Sequence, residues 1–117
     1  MKYLTTDQLI DTIKRGKTVE ALVDKNEENG YPTIQWLAIE KGRERKGIYY
    51  IILHHVFDDR SDGVESVYNF SYVNPDDLYG KIIAEFESHL DAINFVKENF
   101  LLSLDKFVTE GFIEELI

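Results

Sequence analysis

Ile48-Tyr49-Tyr50-Ile51-Ile52-Leu53-His54-His55-Val56-Phe57 is dense in β-branched and aromatic residues. Such residues fit a pleated surface and crowd a helix. The run shows no polar face before its two histidines, so it predicts a central strand buried on both sides. Before it, Gly42-Arg43-Glu44-Arg45-Lys46-Gly47 is a charged stretch bracketed by glycines, the make-up of a hairpin loop. The texture turns to strand from Tyr31 onward: Ile34, Trp36 and Ala38 share one face, and Leu37 and Ile39 the other. After it, Asp58-Asp59-Arg60-Ser61-Asp62-Gly63 reads as a second turn. Residues 64–73 then read as a third strand, with Tyr68, Phe70 and Tyr72 on one side and Asn69 and Ser71 on the other. Residues 81–87 read as a short fourth strand, in which Ile82, Ala84 and Phe86 alternate with Lys81, Ile83 and Glu85. Strands joined by short polar turns predict an antiparallel meander.

Helices flank this block. Thr5 with Gln8 three residues later forms a capping-box pattern, Leu9, Ile10 and Ile13 form an apolar stripe, and Gly16 is a stop. Ser88 with Asp91 opens a second helix, whose stripe is Leu90, Ile93, Val96 and Phe100. In the tail, Leu101, Leu104, Val108 and Phe112 stand at helical spacing, with Gly111 as an interruption. Residues 18–23 fit two patterns: Val19, Leu22 and Val23 a helical turn, or Val19, Ala21 and Val23 a strand face. The helical pattern is the one favoured, and the polar residues 24–30 after it read as a loop. The expected fold is α+β: one domain over residues 1–117, with a three- to four-stranded antiparallel meander packed on N- and C-terminal helices as a two-layer sandwich.

Composition limits the chemistry. The 117 residues are 44% hydrophobic and 13% aromatic, which is globular rather than disordered composition. With no cysteine, disulfides, thiolate metal sites and cysteine nucleophiles are excluded. The first residues lack the apolar stretch of a signal peptide, and no run approaches a membrane span, so a cytoplasmic location is expected. The net charge of −9 argues against direct contact with nucleic acid or an anionic membrane, since both need clustered Lys and Arg. Lys41, Arg43, Arg45 and Lys46 are close together but diluted by Glu40 and Glu44.

No motif names a reaction. On a strand His54 and His55 point to opposite faces, so they cannot share one metal or one site, and His89 stands far along the chain. Asp58, Asp62 and Gly63 match part of a calcium loop, but Arg60 and Asn69 occupy ligand positions. No cofactor, metal or catalytic residue is therefore assigned. The distinctive feature is the acid: between Asp58 and Glu98 ten acidic residues meet three basic ones. Candidate partner-binding residues are Asp58, Asp59, Asp62 and Glu65 in one turn, Asp76 and Asp77 in the next, and Tyr68, Tyr72 and Tyr79 as anchors where exposed. In a meander the two acidic turns fall at opposite ends of the sheet, and both also read as plain solvated turns.

Phe86-Glu87-Ser88-His89-Leu90-Asp91-Ala92-Ile93-Asn94-Phe95, a strand running into a capped helix, resembles segments of bacterial immunity proteins from polymorphic-toxin and contact-dependent growth inhibition systems. Asp105-Lys106-Phe107-Val108-Thr109-Glu110-Gly111-Phe112-Ile113 adds to the likeness. The resemblance implies a protein partner, a basic nuclease-like toxin domain whose phosphate-binding surface an acidic inhibitor occupies. It carries over no functional residue. Two other readings stay open: a small enzyme pairing His54 or His55 with a carboxylate such as Asp58 or Glu65, and a homo-oligomer using residues 107–117 as its interface. A monomer or weak homodimer is expected.

Overall fold

The computed structural model describes residues 3–117. The Thr5 hydroxyl accepts from the Gln8 N–H at 3.2 Å, and the Gln8 side chain accepts from the Thr5 N–H at 2.9 Å. This capping box satisfies donors that a helix start otherwise leaves open, and α1 (Thr6–Lys14) follows from it. Gly16, at φ +84°, reverses the chain after it.

The next element corrects two expectations. Residues 18–23 are not helical, and of the expected loop 24–30 only Asn29 and Gly30 form a turn: β1 runs Val19–Glu28. Period two prevails because Val19 and Ala21 pack under the helices while Glu20 faces the other side and is buried there as well. Asn29 and Gly30, at φ +53° and +86°, close a two-residue turn into β2 (Tyr31–Lys41). Positive φ at both positions is the type I′ geometry that suits the twist of paired strands. The charged loop 42–47 then leads to β3 (Tyr49–Phe57), as expected. β4 (Lys81–Phe86) pairs antiparallel with β3, and Ser88 caps α2 (His89–Phe100) by accepting from the Leu90 N–H. With β5 (Val108–Thr109) the strand order is β4-β3-β2-β1-β5, so β3 is an interior strand, flanked by β4 and β2 as expected of a central one.

The α+β fold with helices packed on an antiparallel sheet is thus present, but two segments differ from their expected form. Residues 64–73 make no third strand. They cross the second face of the sheet as a strap, with a 3-10 turn at Val67–Asn69 and one bridge, Val56 to Tyr72. Val67 and Phe70 both drive into the core there, three residues apart. That spacing matches a 3-10 turn, not a strand. The tail is likewise not a helix: β5 (Val108–Thr109) pairs with the start of β1, between 3-10 turns at Leu104–Lys106 and Ile113–Leu116. Gly111 at φ +103° turns the chain after β5, so Phe107, Val108 and Ile113 enter the core by different routes.

Two cores result. Leu9, Ile13, Ala92, Ile93, Val96 and Phe107 pack on Val19, Ala21, Leu37, Ile39 and Ile51 on the helix side. Ile34, Trp36 and Val56 lie beneath Val67, Phe70 and Ile113 on the strap side. The division of β2 into Ile34, Trp36 and Ala38 against Leu37 and Ile39 agrees with its expected alternation. The segment 107–117 supplies core residues to the fold itself, which removes most of its apolar surface from any interface between copies.

Candidate functional site

The helices cover only part of their face. The hydrophobic packing beneath them uses Leu37, Ile39, Tyr49 and Ile51, toward the end of the sheet that carries loop 42–47. Farther along the same strands the inward pattern turns polar. Register pairs Asp24 with Gln35 and Gln35 with His55, and Asn26 with Thr33. By alternation these side chains stand on the helix side, but past the helices. They line a shallow cleft of about 110 Å³ together with Glu27 and Glu28. Gln35 and His55 also line a neighbouring cleft of about 180 Å³ with Leu53, Asn74, Asp77 and Lys81.

At the tip of the sheet lies a wider groove of about 370 Å³. Tyr31 and Phe57 form its aromatic wall, edge to face with centroids 6.3 Å apart. Tyr31 is 68% exposed, so its ring is open to a partner. Asp58, Asp59, Ser61, Asp62 and Ser71 form the rim. The Asp58 side chain caps the 3-10 turn at Asp59–Asp62 by accepting from the Arg60 N–H. The Arg60 guanidinium also forks onto Asp58, and hydrogen bonding to it holds that carboxyl below its usual value. Asp59 accepts from the Ser71 N–H at 2.6 Å, which leaves one oxygen uncommitted. Asp62 is exposed and bonds to no other described side chain.

The candidate residues therefore separate. Asp58, Asp59 and Asp62 come together in the groove, and Asp77 joins the cleft with His55 and Lys81. Asp76 and Glu65 are exposed but line neither. Because residues 64–73 do not span the sheet as a strand, the two acidic turns are not fixed at its opposite ends as a meander would place them. Asp77 stands beside Leu53, four residues before Phe57 along β3.

The tyrosines also divide. The Tyr68 hydroxyl accepts from the Gly111 N–H at 2.7 Å and donates to Glu20 at 2.6 Å. Glu20 is 1% exposed and accepts from Trp36 Nε1 at 2.9 Å as well. Burial raises its pKa, against the opposing pull of the Tyr68 and Trp36 bonds. Burial and the bond to Glu20 push the Tyr68 hydroxyl upward too. Tyr68 thus pins the strap to β1 and to the turn after β5. Tyr72 is half-buried, with its hydroxyl 3.0 Å from His54 Nδ1. Tyr79, 78% exposed at φ +69°, is the candidate tyrosine left free.

His54 stacks on Trp36, with centroids 4.5 Å apart and planes 8° apart. Burial lowers its pKa from 6.5 to about 4. It meets neither Asp58 nor Glu65 in a hydrogen bond, so the pairing expected of a His54 enzyme is not formed. His55, on the opposite face, is the histidine beside clefts. Among the described residues no group of three or more metal-ligating side chains lies together, and no helix is long and apolar enough to cross a membrane.

Tyr31, Phe57, Asp24 and Glu28 are site residues that the sequence reading did not single out. The Asn29-Gly30 pair was the available signal. Read as a hairpin turn, it extends β1 and β2 to the sheet tip and places Tyr31 there beside the acidic turn. No known family model matches the chain, and no curated protein or solved structure matches it.

Proposed function

We propose that this chain is a protein-binding module of the immunity type, acting in the cytoplasm on a basic, nuclease-like toxin domain. The observation that carries the reading is the uncovered end of the sheet. Its clefts are lined by Asp24, Glu27, Glu28 and Asp77, and it ends in the Tyr31–Phe57 groove rimmed by Asp59 and Asp62. Among the described residues the cations nearest this surface are already engaged or few: Arg60 is taken by Asp58, Lys25 donates to the Ile117 main-chain oxygen, and Lys81 lines one cleft. Such a surface attracts a basic partner over distance and supplies aromatic area for close contact. A toxin that binds nucleic acid carries clustered cations on its substrate surface. Docking there would block the substrate.

The test uses the tagged protein as bait in lysate of its native organism, supplied with that organism's secreted proteins. Retrieval of one basic protein in stoichiometric amount, with loss of that protein's nuclease activity in the complex, is the expected result. Retrieval of an acidic partner, or of a basic one that stays fully active, would contradict the reading.

One observation favours a second reading: His55 stands in a cleft with Asp77 and Lys81, groups able to move a proton at a small-molecule site. Under that reading a small-molecule screen finds a ligand whose binding His55→Ala abolishes and His54→Gln spares.

A further inference from the structure

The groove at the sheet tip has features that select among basic side chains. Its wall is flat and aromatic: the exposed Tyr31 ring is set edge to face with Phe57. Its rim offers carboxylate oxygens, of which those of Asp59 are already oriented. Asp59 is held by the Ser71 N–H through one oxygen and presents the other, and Asp62 stands exposed on the same 3-10 turn. An anion is repelled by this rim. An apolar side chain would strip water from the carboxylates and return no hydrogen bond. An ammonium ion satisfies the charge, but it has no planar surface to lie on the ring and no fork to span two oxygens. A guanidinium has both.

The turn itself shows the chemistry: Arg60 Nε reaches Asp58 at 2.8 Å while a second nitrogen of the same guanidinium reaches the other oxygen. Arg60 is also anchored by donating to the Ile117 main-chain oxygen at 2.8 Å. It is thus committed to Asp58 and to the tail, which leaves Asp59 and Asp62 without a cation of their own among the described residues. The volume of about 370 Å³ lies within the range of small-ligand pockets, roughly 300–1,000 Å³.

We infer that this groove is a guanidinium subsite, which receives one arginine side chain of the basic partner between the Tyr31 ring and the carboxylates of Asp59 and Asp62. The inference rests on the binding-module reading but is testable without any partner. The full chain is titrated with three blocked tripeptides, Gly-Arg-Gly, Gly-Lys-Gly and Gly-citrulline-Gly, followed by the ring resonances of Tyr31 and Phe57. The arginine peptide is expected to shift both rings and to bind at least about tenfold more tightly than the lysine peptide. The citrulline peptide, planar but uncharged, is expected not to bind. Asp62→Asn, and Asp59→Asn, which keeps an oxygen for the Ser71 N–H, each weaken the arginine peptide severalfold; Tyr31→Leu, on an exposed side chain, removes the preference over lysine.

Equal binding of lysine and arginine peptides, binding of citrulline, no shift with any peptide at tens of millimolar, or shifts confined to other residues would each overturn the inference. The outcomes separate it from the broader reading. Selective arginine binding with no basic partner in any lysate leaves the subsite standing and removes the inhibitor role. A basic partner whose binding ignores every arginine substitution on its surface does the reverse.

Discussion

Protonation of His54 should cost the fold stability in a defined pH window. Its ring is stacked on Trp36, bonded to Tyr72 and pressed by the backbone at Gly80, where an added Cβ would fall 2.8 Å from His54 Cε1. No carboxylate bonds to it to offset a positive charge. A histidine whose folded pKa lies below its unfolded value contributes stability that is complete above the unfolded value and is lost as pH falls toward the folded one. For His54 that window runs from 6.5 down to about 4, and the difference corresponds to roughly 3 kcal/mol. Glu20 acts in the opposite sense. Burial holds its pKa above the ordinary 4.5, so its contribution is complete below that value and is lost as pH rises through the folded one.

Comparison with His54→Gln separates the two, because Glu20 is common to both chains. The assay is urea unfolding at several pH values between 7 and 4, read on Trp36, the single tryptophan. At pH 7 the variant is the less stable, having lost the ring stacked on Trp36. The gap should narrow by roughly 2–3 kcal/mol on reaching pH 4, as the wild type alone takes up the buried charge. A gap constant across the window, or a His54 titration near 6.5 in the folded state, would refute the reasoning.

Tyr68→Phe removes the hydroxyl that joins Gly111 to Glu20, so a buried carboxylate keeps a single side-chain donor; a loss of about 1.5–3 kcal/mol in thermal or urea unfolding is expected. Gly80→Ala forces φ +97° on a residue with a Cβ and drives that atom to 2.5 Å from Ile52 Cγ2, so the loss should exceed about 2 kcal/mol. Gly30→Ala meets no atom within 4 Å, so only the cost of φ +86° remains, about 1 kcal/mol, and the two alanine variants compared by calorimetry separate crowding from backbone strain. Replacing the rim acids with Asp59→Asn and Asp62→Asn should leave stability within about 0.5 kcal/mol, since Asp62 is exposed and asparagine at the half-buried position 59 keeps an oxygen for the Ser71 N–H.

Much of the fold was legible because local chemistry and tertiary packing agree. Thr5 with Gln8, Ser88 as a cap before the stripe of α2, and the β-branched and aromatic run of β3 each specify one conformation, and each adopts it. Legibility failed where a short segment draws its conformation from a neighbour. Residues 18–23 are apolar at positions compatible with two periods, and only the pairing of β1 with β2 decides between them. Residues 64–73 alternate like a strand, but the burial of Val67 and Phe70 over Trp36 selects a 3-10 turn. In the tail, helical spacing yields to the reversal at Gly111 and to the free edge of β1 that β5 fills.

The acidic half of the site was visible as charge. Its aromatic half was not, because Tyr31 and Asp58 are distant in sequence and meet only when the Asn29-Gly30 turn carries β2 to the sheet tip. The buried Glu20 carried no sequence signal at all. Its burial follows from Tyr68 and Trp36 arriving from two other elements.

The central claim, that the uncovered sheet end binds a basic protein, is tested most directly by titrating the retrieved partner against the wild type and against a chain bearing Tyr31→Leu, Asp59→Asn and Asp62→Asn together, at low and high salt. The account predicts wild-type affinity that falls with salt through slower association, and a variant weakened at least about a hundredfold while its unfolding transition is unchanged. Equal affinity of the two chains, with no dependence on salt, would contradict it.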